Sequence, residues 1–174
     1  MKYFVKFFVV TFFLFISTYA FAEQKIVVLD MKFVLNNSKA GKEAQDFLKN
    51  KFNNNAKKFS EMEKKLKEEE TDLLSKKNIL SKEEYTKKSD TLRKKVIDYQ
   101  SERRTSLDKI AKQRAQAREE LLKTVRPIVD NYIKENKISL VIDKKNLIGG
   151  STEFDITKAI VDQLDKDLPS LNLK

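Results

Sequence analysis

From Phe52 onward a large apolar residue returns every seventh position: Phe52, Phe59, Leu66, Leu73. After an interruption the spacing resumes at Tyr85, Leu92 and Tyr99. A seven-residue repeat keeps one narrow apolar seam on one side of a helix, the pattern of a helix lying along another helix. The surrounding stretch, Ser38 to Arg126, holds no proline and one glycine, Gly41, in its first turn. The interruption contains Ser81 and Glu84, spaced as a capping box in which each residue satisfies an amide of the other. A fresh helix start inside a long helical pattern predicts a turn near 78–81 and an antiparallel hairpin. The alternative is one continuous helix, roughly 130 Å long at the helical rise, which the central cap argues against.

The two halves can be laid on each other about Ile79. Leu73 then faces Tyr85, Leu66 faces Leu92, Met62 faces Val96, Phe59 faces Tyr99 and Leu48 faces Ile110. The positions expected to complete the seam on the first half are Ala56, Glu63, Glu70 and Lys77, which makes it thin. Arms of this kind bend or splay, most of all near the tip. Phe59 is placed in the seam by its match with Tyr99, while Phe52 and Tyr85 are either buried there or shared with a bound partner.

The flanks read differently. Lys25 to Asp30 is a β-branched run that predicts a strand buried on both faces. Asp30 can cap a short helix through Met31, Phe33, Val34 and Leu35, and Asn36-Asn37-Ser38 reads as a turn and cap. Pro127 predicts a kink or break where the arm ends. A second strand is expected at Lys137 to Asp143, and a short third one at Leu147-Ile148, ended by Gly149-Gly150. Asp155 or Thr157 caps a final helix, and Pro169 closes it. The fold class is therefore mainly α with a small α+β body: a long antiparallel helical hairpin, residues 38–126, projects from a discontinuous body of 23–37 and 127–174.

That body has 63 residues and no cysteine for a disulfide, which is marginal for a solitary domain anchoring an arm about 60 Å long. Its strands are apolar on both faces, yet one chain supplies few elements to cover them. Oligomerisation resolves this, with Ile26, Val28, Leu29, Leu140 and Ile142 as the assembly residues. A self-sufficient monomer is the alternative.

Charge sharpens the division. Of the net +10, the arm carries a surplus of nine, with 25 Lys and Arg against 16 Asp and Glu. The body has 9 basic and 10 acidic residues. A mixed Lys/Glu helix face explains much of the arm's composition but not the surplus, which suits acidic partners. Lys87, Lys88, Arg93, Lys94, Lys95, Arg103 and Arg104 are the candidate binding cations. Absent histidine and cysteine remove the usual general base and the usual metal ligands, so neither enzyme nor cofactor is expected. Glu68-Glu69-Glu70 reads as a solvated helix face.

Met1 to Ala22 has the form of a signal peptide: Lys2 and Lys6, an apolar core at Phe7 to Ile16, then Ala20-Phe21-Ala22. Cleavage after Ala22 is expected; an uncleaved anchor is the alternative, and no cysteine follows for lipid attachment.

The ordered set IVVLDMKFVL, NNSKAGKEA, the hairpin turning at ILSKEE, then ISLVIDKKN and DITKAIVDQL is similar to the Skp (OmpH-like) periplasmic chaperone family, over about residues 25 to 166. The tip and seam here are unusually rich in Lys and Asn. The resemblance implies a homotrimer whose body is a barrel of strands from three chains, with helical arms around a central cavity. It implies an ATP-independent holdase for unfolded outer-membrane β-barrel proteins, with lipopolysaccharide or an anionic membrane surface as a further partner at unassigned positions. Basic arms would attract such clients, which aggregate through unpaired strand edges, and many weak contacts would hold them. Two rivals stand beside it. A basic coiled coil could bind nucleic acid, but an export signal removes that partner. A passive envelope spacer or adaptor is the other.

Overall fold

The computed structural model describes residues 24–173, so the signal segment lies outside the described residues. The chain runs β1 (Lys25–Leu29), α1 (Met31–Asn37), α2 (Lys39–Ser75), α3 (Lys82–Glu135), β2 (Ile138–Asp143) and α4 (Thr157–Asp167). Short 3-10 turns at Lys144–Asn146 and Thr152–Phe154 join β2 to α4. The fold is the mainly helical one expected, with α2 and α3 as the hairpin.

The two strands pair in parallel, with Ile26 beside Leu140, Val27 beside Val141 and Val28 beside Ile142. A parallel pair needs a long crossover, and here the entire hairpin is that crossover. The pairing makes the hairpin's two ends converge on one body.

Side chains alternate across a strand, and the body uses only one face of β1. Val27 and Leu29 are buried, whereas Ile26 is 42% exposed and Val28 is half-buried. On β2, Leu140 is 52% exposed. Within the single chain the strands are thus covered on one face only, because the helices pack from one side. No strand forms at Leu147-Ile148. The chain takes a 3-10 turn after Asp143, whose carboxylate accepts from the Lys145 amide, and Ile148 is fully exposed.

The covered face meets Val34 of α1, Leu121, Val125 and Ile128 of α3, and Ile156, Ile160 and Leu164 around α4. Val34, Val125, Ile160 and Leu164 are sealed from solvent. Polar contacts tie the pieces. The Asp30 carboxylate accepts from the Phe33 amide at 2.8 Å, capping α1, and the Asp30 amide donates to the Thr157 hydroxyl at 2.9 Å. The Ile156 amide donates to the Val28 carbonyl at 2.9 Å. Asp155, not the boundary residue Ile156, accepts from the Thr157 amide at the start of α4. Burial raises the Asp155 pKa, but hydrogen bonds from Lys144 and Thr157 outweigh it and hold the carboxyl below its ordinary value.

The arm leaves the body through a close approach. Ser38 caps α2 by accepting from the Gly41 amide. A Cβ on Gly41 would sit 2.0 Å from the Leu35 carbonyl oxygen, so only glycine lets α2 start this close to α1. At the other end α3 runs unbroken through Pro127 to Glu135. The proline ring is exposed, while Val125 and Ile128 on either side are core residues. Packing on both sides of the lost hydrogen bond keeps the helix whole, so of the kink or break expected here the break does not occur. Lys137, at φ 51°, then turns the chain into β2 in the left-handed region.

Candidate functional site

Among the described residues the hairpin is the large structure that the body core does not consume, and its tip is well specified. The Ser81 hydroxyl accepts from the Glu84 amide at 3.2 Å, and the Glu84 carboxylate accepts from the Ser81 amide at 3.1 Å. Both halves of the capping box are present. Hydrogen bonds from the Ser81 hydroxyl and amide, with Lys88 nearby, hold the Glu84 carboxyl below its ordinary value.

The seam follows the mirrored register. Phe59 and Tyr99 are buried and meet edge to face, ring centroids 6.0 Å apart. Leu73, Leu48 and Ile110 are also buried. Leu66, Leu73, Tyr85, Leu92 and Val96 line one groove together. The residues that complete the seam differ from those expected. Ala56, Glu63, Glu70 and Lys77 are exposed, and the second row instead runs through Leu48, Asn55 and Met62. The Asn55 amide donates to the Ser106 hydroxyl, which puts a polar layer between the Leu48 and Phe59 levels of the seam. Lys58 and Glu102 pair across the hairpin beside it.

Beyond Phe59 the seam opens except at Leu73, which stays buried. Met62, Leu66, Tyr85, Leu92 and Val96 remain half-buried. On one side lies a groove of about 620 Å³ lined by Leu66, Leu74, Tyr85, Val96 and Arg93, among others. On the other lies a groove of about 470 Å³ where Lys76, Lys87, Lys88 and Lys95 face Glu69, Asp72 and Glu84. A cross-hairpin ion pair, Lys95 to Glu69 at 2.6 Å, bridges this second groove. That pair also accounts for the middle of the Glu68–Glu70 cluster.

The seven candidate cations are not brought into one patch. Lys87, Lys88 and Lys95 line the smaller groove. Arg93 reaches the larger one and pairs with Asp90 at 3.1 Å. Lys94, Arg103 and Arg104 are exposed outside both grooves. Periodicity missed the apolar contribution. Leu74 is 58% exposed beside the buried Leu73, and Ile97 is equally exposed on the facing helix. The Leu73-Leu74 doublet was the available signal, since a helix cannot place both residues in one narrow seam.

Of the five assembly candidates, Ile26, Val28, Leu140 and Ile142 share the uncovered sheet face, Ile26 beside Leu140 and Val28 beside Ile142. Leu29 lies on the opposite face, 4% exposed in the chain's own core. Its neighbour Val28 reads the same in sequence, and only the strand's alternation separates them.

A family profile described as Outer membrane protein (OmpH-like) matches residues 25–164, taking in both strands and the whole hairpin. The chain belongs to the OmpH-like family. A crystal structure of an OmpH-like outer membrane chaperone candidate from Caulobacter crescentus CB15 has the same fold, with a TM-score of 0.78 at 17% identity. The match covers 87% of this chain and 89% of that one. Comparison with curated proteins returns no match. In this OmpH-like chain no helix among the described residues is long and apolar enough to cross a membrane.

Proposed function

We propose that the chain is an ATP-independent periplasmic holdase, exported by cleavage after Ala22, that keeps unfolded outer-membrane β-barrel proteins from aggregating. The observation that carries this reading is the half-open distal seam. Leu66, Leu74, Tyr85 and Val96 offer apolar surface, with cations along the margins, on a hairpin that no other element among the described residues covers. An unfolded barrel strand alternates apolar and polar side chains, and such a surface can hold it by many exchangeable contacts. The chaperone description of the Caulobacter protein supports the reading.

In this proposal, residues 38–126 capture and residues 23–37 with 127–174 assemble. Ile26, Val28, Leu140 and Ile142 form the subunit contact of a homotrimer, and the arms enclose a cavity. Lys87, Lys88, Arg93, Lys94, Lys95, Arg103 and Arg104 attract the client, and lipopolysaccharide or an anionic membrane surface is a further partner at unassigned positions. No catalytic step is part of the mechanism.

The test is dilution of a urea-unfolded outer-membrane barrel protein into buffer with and without the mature chain, followed by light scattering. A holdase keeps the diluted protein soluble without nucleotide. Unchanged aggregation leaves the passive spacer or adaptor.

A further inference from the structure

The arm carries a third groove, at its root, which the distal capture surface does not use. Leu48, Phe52 and Leu121 form its apolar floor, and Lys49, Arg114 and Arg118 stand around it. Phe52 holds a seam position by spacing, yet it is 49% exposed. The small Ala44 and Ala117 line the same groove and leave room along its floor. Asp46 is the one carboxylate lining the groove among the described residues. None of the three cations has an ion-pair partner among those residues. At the tip, by contrast, the groove cations face three carboxylates and Lys95 is neutralised by Glu69.

We infer that the root groove is a distinct binding site for an extended acidic segment of the client, one apolar side chain resting on Phe52 and Leu48 while carboxylates meet Lys49, Arg114 and Arg118. The inference rests on the holdase reading and adds a polarity to it. The tip grips apolar surface with cations partly offset by Glu69, Asp72 and Glu84, whereas the root adds a stronger preference for carboxylates. Exposed cations with no internal partner lose no existing ion pair when a carboxylate arrives, so the charge complementarity is available at the root. A neighbouring apolar floor lowers the dielectric around each contact and strengthens it.

The probe is a dye-labelled peptide alternating Val and Phe with Asp and Glu, its binding to the mature full-length chain followed by fluorescence anisotropy. Its counterpart carries Lys and Arg in place of the acids. The K49Q/R114Q/R118Q triple variant should weaken acidic-peptide binding about tenfold, from three exposed charge contacts. Phe52→Ser should weaken it with no change of net charge. A K57Q/K65Q/K112Q variant removes the same charge from exposed arm positions outside the grooves. It should change binding by less than about twofold. Equal losses in the two triple variants would overturn the inference in favour of a diffuse arm field, as would equal affinity for the basic counterpart. A changed mass of the root variant in light scattering would instead make the groove a contact between copies, also against the inference. Anionic vesicles binding there while the acidic peptide does not would equally overturn it. The barrel-protein dilution assay separates the two ideas. If the wild-type chain prevents aggregation but the peptide results fail, only the root site falls; if it does not, the holdase reading falls.

Discussion

In the body core, Val34, Ile160 and Leu164 are sealed from solvent together with Val125 from the root of the arm, whereas in the distal arm Leu66, Leu92 and Val96 stay half-open. The body is nearly neutral and the arm carries a surplus of nine positive charges. A thin seam would be a defect in a domain that had only to be stable. Here the body core fixes both ends of the hairpin, so the arm can leave apolar surface and charge uncommitted. Enclosed apolar packing is concentrated in one region, and exposed apolar surface and surplus charge in the other.

The largest expected effect tests where the stability lies. Leu164→Ala should cost about 2–5 kcal/mol in urea denaturation, since the side chain is completely enclosed. Leu66→Ala, half-buried in the arm, should cost less than about 1.5 kcal/mol; equal losses would erase the contrast. Next comes the joint between the regions. Gly41→Ala drives a methyl into the Leu35 carbonyl and should destabilise by about 1–3 kcal/mol, visible as a lowered denaturation midpoint.

Client binding should weaken several-fold from low to high salt, because exposed arm charges are screened over about 8–10 Å. Salt-independent affinity would remove the arm cations from the mechanism. A smaller gain is expected on the body side, where Lys137→Gly should stabilise by up to about 1 kcal/mol by relieving a left-handed backbone. The smallest effect is at the tip. The Glu84 pKa lies below its unfolded value, so the cap's contribution is full above the ordinary glutamate pKa. It is lost as pH falls through the depressed folded value. Protection of the amides at residues 82–86, corrected for the intrinsic slowing of exchange in acid, should therefore fall as pH drops below the ordinary glutamate range, ahead of the rest of the arm.

Much of the fold is legible in the sequence because its signals are local and periodic. The seven-residue spacing locates both helices, and Ser81 with Glu84 locates the turn between them. The mirrored register by itself sets Phe59 against Tyr99. What escapes depends on three dimensions. Gly41 looks like a tolerated weakness, yet the nearness of the Leu35 carbonyl demands it. Pro127 reads as a kink or break, but core residues on both sides carry the helix across without a break. Val28 and Leu29 are equally apolar, and only strand alternation sends Leu29 to the core and Val28 to the uncovered face. The Asn55–Ser106 layer is hidden because a heptad count of large apolar residues skips polar ones. The cations are legible as residues but not as a site, since which of them face carboxylates depends on how the two helices are rotated.

In the proposed function, the face of Ile26, Val28, Leu140 and Ile142 is where body and arm depend on each other, because arms would enclose a client only if several bodies join. The most direct measurement is the mass of the purified mature chain by light scattering at micromolar concentration. Three chains are the predicted result. A stable single chain would contradict it, and with it the cage that the arms are proposed to form.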